Sequence, residues 1–207
     1  MTEDLGFVHQ FVPGSSGRTL LLLHGTGGDE NDLVPLGREL DPEAALLSPR
    51  GPVSENGSLR FFRRLSEGVF DVEDLKKRTD DLAEFIVAAA SHYQLVPEKI
   101  VAVGYSNGAN IAASVLLRRA GILRTAVLFR AMVPLQPEKL PDLSGLRVWI
   151  GGGKQDTLIL PAETERLAAL LREAGADVTA RFFDAGHGLS NTEFAVVQRW
   201  LAAARGS

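Results

Sequence analysis

The sequence predicts an α/β fold with a mostly parallel central sheet and helices on both of its faces. Short continuous apolar blocks, such as residues 20–23 and 100–103, are typical of strands buried on both sides. Longer segments between such blocks have apolar residues at helical spacing. Strands that alternate with helices along a chain usually pair in parallel, because each helix carries the chain back across the sheet.

Length and hydrophobicity indicate one compact domain. A chain of 207 residues with 45% hydrophobic and 23% charged residues is long enough to bury about 70% of its unfolded surface. No linker divides the chain, so we expect a single domain over residues 1–207. The longest purely apolar run, residues 85–90, is too short to span a bilayer, and we expect no membrane partner.

Charge and cysteine content exclude several other classes of protein. A formal net charge of −4 argues against a nucleic-acid partner, because phosphate binding needs a clustered positive surface. The absence of cysteine excludes a disulfide framework, a thiolate zinc site and a cysteine nucleophile. The acidic N-terminus lacks the basic start and apolar core of a signal peptide, so we expect a cytoplasmic protein.

The first part of the chain contains three predicted strands and one helix. The strands are expected at residues 7–12, 20–23 and 44–47, and the first of them at a sheet edge. The helix should run from Asn31 or Asp32 to Leu40, because Pro42 disfavours helical geometry at the preceding residue. Residues 48–71 contain several prolines and glycines, which predict a long irregular connection.

The second part alternates regularly between strands and helices. Asp71 should cap a helix whose apolar face includes Leu75, Leu82 and Phe85. Pro161 should open a later helix, and Gly121 and Gly175 should end two helices. The remaining strands are predicted at residues 100–103, Thr125–Phe129, 148–150 and 178–183, with a final packed helix around Val197 and Leu201.

The sequence Gly104-Tyr105-Ser106-Asn107-Gly108 joins the strand at residues 100–103 to the helix that follows it. A serine in such a tight strand-to-helix turn is exposed at the carboxyl edge of the sheet, and the crowded turn favours glycine two residues before and after it. The start of the helix directs free N–H groups toward a developing oxyanion. Ser106 is therefore a candidate nucleophile.

A glycine-rich loop follows the strand at residues 20–23 and reads His24-Gly25-Thr26-Gly27-Gly28-Asp29. It contains neither of the glycine patterns of phosphate-binding loops. Loops of this kind supply a backbone N–H opposite the nucleophile, so we assign the oxyanion-hole donors to Thr26 and Asn107. His24 is expected to brace the loop rather than to transfer a proton.

His187 and Asp156 complete a candidate catalytic set with Ser106. The order Ser, Asp, His along the chain is that of the α/β-hydrolase triad, and histidine can accept and return a proton near neutral pH. Asp184 competes for the acid position because it precedes His187 by three residues. Asp177 starts a strand and should lie at the opposite edge. The loop position of Asp156 favours it.

The irregular segment contains Arg60-Phe61-Phe62-Arg63-Arg64. One interpretation is a wall of aromatic and cationic groups that faces the substrate, in which Phe62 and Arg64 line the pocket. The other is a loop whose phenylalanines fill the core while its arginines stay solvated. Met132 lies at the carboxyl end of a strand and is a further candidate for the pocket, although an isolated methionine more often fills a core.

With these motifs the chain resembles the phospholipase/carboxylesterase group of α/β-hydrolases, which includes bacterial esterases and acyl-protein thioesterases. The matching residues are those of the glycine-rich loop from Leu23 to Asp29, Gly104 to Gly108, Asp156 and Gly186-His187, and they cover nearly the whole chain. Residues 30–33, 60–64 and 106–112 look like the branch named for hydrolases linked to hydroquinone and quinone response.

The resemblance implies an α/β-hydrolase fold without a large cap domain, and often a homodimer. Two positions depart from the pattern of the group. Thr157 follows Asp156 where relatives commonly have proline, and Arg130, which should lie near the pocket edge, stands where the quinone-response branch often has histidine.

Together these features predict a serine carboxylesterase that acts on short-chain or aryl esters through an acyl-enzyme. This chemistry needs no metal and no organic cofactor, and the expected partner is a small-molecule ester. A thioesterase or lysophospholipase could use the same residues. A ligand-binding protein on a hydrolase scaffold is the remaining alternative, because fold alone does not prove function.

Overall fold

The computed structural model describes residues 5–66 and 68–203 and has eleven strands and five α-helices in this part of the chain. In chain order the elements are β1 (His9–Val12), β2 (Thr19–Leu23), α1 (Val34–Leu40), β3 (Ala45–Pro49), β4 (Val53–Glu55), β5 (Ser58–Arg60), β6 (Arg64–Ser66), β7 (Val69–Phe70), α2 (Val72–His92), a 3-10 turn (Pro97–Lys99), β8 (Ile100–Tyr105), α3 (Asn107–Arg118), β9 (Thr125–Phe129), β10 (Arg147–Gly153), α4 (Pro161–Glu173), β11 (Asp177–Phe183) and α5 (Asn191–Ala203).

Seven strands form one central sheet in the order β1-β3-β2-β8-β9-β10-β11. Only β1 runs antiparallel to its neighbour, at the sheet edge, and every other pair is parallel. The mostly parallel sheet predicted from the sequence is therefore confirmed. The carboxyl ends of β2, β8, β10 and β11 lie at one edge, which is where loops from parallel strands can meet.

Helices cover both faces of this sheet. Leu75 of α2, Ile111 of α3 and Leu167 of α4 belong to one buried apolar cluster, whereas Leu36 of α1 and Val197 of α5 belong to a second. The strands between the two clusters are almost completely buried, which explains their continuous apolar sequences. Asp71 caps α2 as predicted, since its side chain accepts the N–H of Asp74.

The segment at residues 48–71 differs from the irregular connection predicted. Two antiparallel hairpins form there, β4–β5 and β6–β7. Asn56 and Gly57, which the sequence suggested were part of an irregular loop, form the turn of the first hairpin. Both have positive φ, at 51° and 82°. An Asn-Gly pair in this conformation is the preferred two-residue hairpin connection. A smaller difference is that α1 begins at Val34 rather than near Asn31.

None of the helices in the described residues is long and apolar enough to cross a membrane. The same residues contain no group of three or more histidine and carboxylate side chains placed to hold a metal ion.

Helix α3 lies so close to the sheet that two positions have no room for a side chain. A Cβ atom on Gly104 would lie 2.6 Å from the Cα of Ala109, and one on Gly108 would overlap the carbonyl oxygen of Leu23 in β2. Backbone blocks the space in both cases, so a rotamer change cannot relieve the overlap. The two glycines therefore set the approach of α3 to the sheet.

We expect Gly108→Ala to lower the free energy of unfolding by about 3 kcal/mol, because α3 must move away from β2 to admit the methyl group. Urea unfolding measures the change. Gly188→Ala is the matched control, since a Cβ there meets no atom within 4 Å. Equal stability of the two variants would show that the space at Gly108 is not restrictive.

Candidate active site

Ser106 lies in the turn between β8 and α3 with φ 52° and ψ −113°. A positive φ is strained for a residue with a side chain and persists only where the surroundings impose it. The N–H of Ser106 donates to the carbonyl of Phe129 at 2.9 Å, and its own carbonyl accepts the N–H of Asn110 at 2.9 Å. These bonds tie the turn to the neighbouring strand β9 and to the first turn of α3.

A chain of hydrogen bonds links Ser106, His187 and Asp156. His187 Nε2 is 3.0 Å from Ser106 Oγ, and His187 Nδ1 is 2.9 Å from Asp156 Oδ2. With an ionised aspartate, Nδ1 carries the hydrogen and Nε2 is free to accept the serine proton. Ser106, Asp156 and His187 follow β8, β10 and β11, respectively. The parallel sheet thus brings together side chains that are far apart in sequence.

The buried carboxylate of Asp156 is fixed on both of its oxygens. While Oδ2 faces His187, Oδ1 accepts the N–H groups of Leu158 and Ile159, each at 2.9 Å. The competing Asp184 is 78% exposed and pairs with Lys154 at 2.8 Å. Asp177 begins β11 at the opposite edge, where it lies 3.9 Å from Arg147. Only Asp156 of these three carboxylates contacts the imidazole.

Arg130 lies behind this chain, not at the pocket edge where the sequence placed it. Its side chain has 0% exposure and its backbone has a φ of 55°. The guanidinium forms two hydrogen bonds to the carboxylate of Glu193, at 2.7 and 2.8 Å. Its Nε lies 3.9 Å from Asp156 Oδ2. The arginine therefore joins two buried carboxylates instead of facing a substrate.

The same guanidinium holds the loop that carries His187. It donates to the carbonyl of Gly186 at 3.0 Å and to that of Gly188 at 2.7 Å, so the residues on both sides of the histidine are fixed. The hydroxyl of Tyr105 donates to the carbonyl of His187 itself at 3.1 Å. Burial raises the pKa of Tyr105, which keeps this donor protonated.

Thr26 and Asn107, the predicted oxyanion donors, both border the cavity in front of Ser106. Asn107 is the first residue of α3, so its N–H has no acceptor within the helix. The glycine-rich loop is held by Gly27, whose N–H donates to the carbonyl of Leu59 at 2.9 Å. Both predicted donors thus come from segments that border the same cavity as Ser106.

His24 braces this loop, as the sequence analysis expected. Its Nε2 accepts the N–H of Gly51 at 2.9 Å, so the hydrogen must be on Nδ1, which donates to the carbonyl of Gly25 at 2.7 Å. The side chain is buried, and burial is the largest cause of a lowered pKa for His24. The ring is therefore neutral and structural.

The cavity has a volume of about 260 Å³, which is small for a ligand pocket. Of the predicted pocket residues, Arg64 and Met132 line it. Phe62 does not, because it is fully buried and packs edge-on against Phe70 at 5.0 Å. The two interpretations of residues 60–64 thus each describe part of the segment, since both phenylalanines fill the core while Arg60 and Arg64 face the cavity.

Two asparagine side chains support the site in a way the sequence analysis missed. Asn107 Oδ1 accepts the N–H of Phe61 at 2.8 Å, and Asn110 Oδ1 accepts that of Met132 at 3.0 Å. These hydrogen bonds tie α3 to the end of the first hairpin, β4–β5, and to the segment after β9. Asparagine is disfavoured inside a helix unless its amide has a hydrogen-bond partner. The two asparagines near the start of this helix were therefore the signal in the sequence for such contacts.

The sequence profile of the dienelactone hydrolase family matches residues 62–205, a stretch that includes Ser106, Asp156 and His187. The chain belongs to the dienelactone hydrolase family. A relative of this chain, the putative hydrolase MhqD of Bacillus subtilis (strain 168), is 49% identical over 196 residues, which are 95% of this chain and 98% of that protein.

Solved structures agree with this assignment. The Bacillus cereus carboxylesterase superposes with a TM-score of 0.93 at 47% identity, covering 96% of this chain and 94% of that one. The Mesorhizobium loti carboxylesterase gives 0.92 at 35% identity, covering 98% and 97%. This dienelactone hydrolase family member therefore has the α/β-hydrolase fold and is an ester-hydrolysing enzyme. The resemblance to esterase-like α/β-hydrolases, stated from the motifs, is confirmed.

We expect the stability of this family member to depend on pH through His24. Because its pKa is lowered on folding, the unfolded chain binds more protons, and stability falls as the pH drops below the unfolded value of 6.5. His24→Asn should flatten the slope of unfolding free energy against pH in this range, measured by urea unfolding. An unchanged slope would contradict a neutral His24.

A second prediction concerns the buried ion pair. Glu193→Gln removes the carboxylate that accepts two hydrogen bonds from Arg130 and leaves the more distant Asp156, at 3.9 Å, as its nearest negative charge, so it should cost about 3 kcal/mol of stability. Glu163→Gln is the matched control, because Glu163 is also in the first turn of a helix but pairs with Arg166 at 3.8 Å on the surface, where such pairs contribute below about 1 kcal/mol. Urea unfolding compares the two variants, and similar losses would contradict the assigned role of Glu193.

Proposed function

We propose that the chain is a serine carboxylesterase in which Ser106 is the nucleophile, His187 the general base and acid, and Asp156 the residue that orients the imidazole. The observation that carries this proposal is the continuous hydrogen-bond chain from Ser106 Oγ through His187 to the buried Asp156. Its members have the geometry that proton transfer from a serine hydroxyl requires.

In the acylation step, Ser106 Oγ attacks the ester carbonyl carbon while His187 Nε2 takes the hydroxyl proton. The carbonyl oxygen becomes an oxyanion that accepts the N–H groups of Thr26 and Asn107. Collapse of the tetrahedral intermediate breaks the ester C–O bond, and the imidazolium returns its proton to the leaving alkoxide. An alcohol departs and an acyl group remains on Ser106.

In deacylation the same groups act on water. His187 accepts a proton from a water molecule, whose oxygen attacks the acyl carbonyl, and then returns the proton to Ser106 Oγ as the carboxylic acid leaves. The nearby carboxylate of Asp156 stabilises the positive charge that His187 carries during both steps. Neither step requires a metal ion or an organic cofactor.

The cavity favours small esters. Its volume of about 260 Å³ is below the range of pockets that enclose drug-sized ligands. Phe70, Met132, Leu158 and Ile159 provide apolar walls suited to a short-chain or aryl group. A long acyl chain, such as that of a lysophospholipid, would extend out of this space, so we favour carboxylesterase activity over the lysophospholipase alternative.

We expect a fluorophosphonate probe to label Ser106 alone, as shown by intact mass and peptide mapping, and Ser106→Ala to abolish both labelling and esterase activity. Asp156→Asn should lower kcat/KM on a p-nitrophenyl ester by about 10³- to 10⁴-fold, because the imidazole loses its orientation and charge partner. Asp184→Asn, the matched control, should retain activity within about twofold, because surface changes away from the chemistry have small effects.

The proposal fails if Ser106→Ala keeps esterase activity or if the probe labels a different residue. It also fails in its assignment of the acid if Asp184→Asn is as damaging as Asp156→Asn. Retained activity in both aspartate variants would mean that His187 is oriented by other groups.

A further inference from the structure

Strand β11 forms one edge of the central sheet and is open to solvent along its length. It pairs with β10 on one side, and no strand within residues 5–66 and 68–203 covers its other side. Each of its seven residues is at least partly exposed, and the strand at the opposite edge, β1, has only four residues. A long uncovered edge strand presents a row of backbone N–H and C=O groups to another chain.

The backbone bonds of β11 show which of its residues face outward. The N–H of Asp177 donates to the carbonyl of Leu146, so Asp177 faces β10. Because the backbone groups of successive residues alternate between the two sides of a strand, those of Val178 and Ala180 point away from the sheet. The carbonyl of Val178 agrees with this direction, since it accepts Nη2 of Arg172 at 3.0 Å. A carbonyl has two lone pairs and can accept a second hydrogen bond.

The side chains of β11 alternate between the two faces of the sheet. Val178 and Ala180 pack against the apolar cluster on the side of α4. Asp177, Thr179 and Arg181 therefore lie on the opposite face, which carries α5. The outward edge of β11 thus has small apolar side chains on one face and a short polar row on the other.

The polar row has opposite charges at its two ends. Asp177 is 75% exposed and lies 3.9 Å from Arg147, which is too far for a hydrogen bond. Arg181 is exposed, and its side chain forms no ion pair within the part of the chain that the structure describes. Charges on an edge strand ordinarily discourage pairing with other chains. Here their signs and their spacing of four residues permit one arrangement in which they attract.

That arrangement is an antiparallel pair of two identical β11 strands. Outward-facing residues must meet outward-facing residues, so the two-fold axis of the pair lies at one residue. An axis at Thr179 places Asp177 of each copy opposite Arg181 of the other, and no other register does so. An axis at Asp177 or at Arg181 would set like charges opposite each other, which is destabilising. The axis at Thr179 also brings two threonines together, a favourable cross-strand pair.

A groove beside β11 would be covered by the same pairing. It has a volume of about 500 Å³, and its lining includes Thr179 and Arg181 of the strand and Val196, Arg199 and Trp200 of α5. The two-fold axis of an antiparallel pair is perpendicular to the sheet, so both α5 helices would lie on one face and the two grooves would join. A stable dimer buries about 1,200–2,000 Å² in total, and these side chains add contact area to that of the two strands.

We propose that β11 binds β11 of a second copy of this chain, antiparallel and about a two-fold axis at Thr179, so that the two seven-stranded sheets join into one. Val178 of each copy then exchanges backbone hydrogen bonds with Ala180 of the other. The same patch is used by both copies, so the assembly closes as a dimer. The charges select this register and oppose the neighbouring ones. The inference does not depend on the proposed function, because none of these residues lines the active-site cavity.

Sedimentation velocity of the full-length protein tests the assembly. We expect a species of twice the 22.3 kDa monomer mass at micromolar concentration. Arg181→Asp should raise the dimer dissociation constant by about 100-fold or more, because two carboxylates then face each other at both ends of the pair. The double variant Asp177→Arg/Arg181→Asp exchanges the signs and should return the constant to within about tenfold of the wild type.

Lys76→Glu is the matched control for charge. It changes the charge by the same amount as Arg181→Asp, on the surface of α2. It should leave the dissociation constant within about twofold of the wild type, because a surface change away from the interface has little effect. Urea unfolding shows that each variant is folded.

An introduced cysteine reports the register directly. The chain has no cysteine, so Thr179→Cys can form a disulfide only between two copies. The two Cα atoms at the axis should be about 4.5 Å apart, which is within the range that a disulfide spans. Mild oxidation should therefore convert Thr179→Cys to a covalent dimer, as seen by intact mass. Ser91→Cys, at an exposed position of α2, should form such a dimer only at the much lower rate of random collision.

Three results would each overturn the proposal. A protein that stays monomeric at every micromolar concentration leaves the edge of β11 to a different partner. A dimer that Arg181→Asp does not weaken, or that the double variant does not restore, uses a different surface. Equal oxidation rates of Thr179→Cys and Ser91→Cys would show that Thr179 does not lie at a two-fold axis.

Discussion

The conformation of Ser106 is the constraint on which the site depends. The φ of 52° at Ser106 costs about 1–3 kcal/mol of strain energy. The turn keeps this strained conformation because its surroundings hold it in place. The N–H of Ser106 is bonded to β9, and α3 begins at the next residue. Gly104 and Gly108 allow α3 and the sheet to approach until their backbones nearly touch. Relaxing the turn would therefore break packing across the centre of the molecule.

The strained turn fixes Ser106, and the buried ion pair of Arg130 and Glu193 fixes the loop that carries His187. Arg130 binds the carbonyls on both sides of His187, while Asp156 holds the ring itself. The buried charges behind the imidazole are those of Arg130, Glu193 and Asp156, one positive and two negative. Their excess of negative charge lies on the Nδ1 side of the ring, away from Ser106.

Features of the fold and the site that arise from neighbouring residues could be predicted from the sequence, whereas features that depend on distant residues could not. The strand Thr125–Phe129, the cap at Asp71 and the turn at Ser106 follow from residues within a few positions of each other, and the structure has all three. The order of Ser106, Asp156 and His187 also suggested their proximity, because parallel strands bring their carboxyl ends to one edge. The place of Arg130 did not follow. Its burial requires Glu193, which is 63 residues later in the chain, and no local pattern links the two.

The two hairpins within residues 48–71 do not follow from the sequence for a related reason. Glycines and an asparagine mark both irregular loops and tight hairpin turns, and only the paired strand distinguishes them. One interpretation of the sequence puts Phe62 in the pocket wall with the arginines, but successive side chains here point in different directions. The arginines reach the cavity while Phe61 and Phe62 enter the core.

That segment turns out to support the proposed oxyanion donors from two directions. The carbonyl of Leu59 accepts the N–H of Gly27, and Arg60 donates to the hydroxyl of Thr26, so strand β5 holds the glycine-rich loop. One residue later, the N–H of Phe61 donates to the side chain of Asn107 at the start of α3. Three consecutive residues therefore fix the relative positions of Thr26 and Asn107, which come from loops about 80 residues apart in the chain. Since Arg60 also lines the cavity, the element that holds these two loops is itself part of the wall beside Ser106.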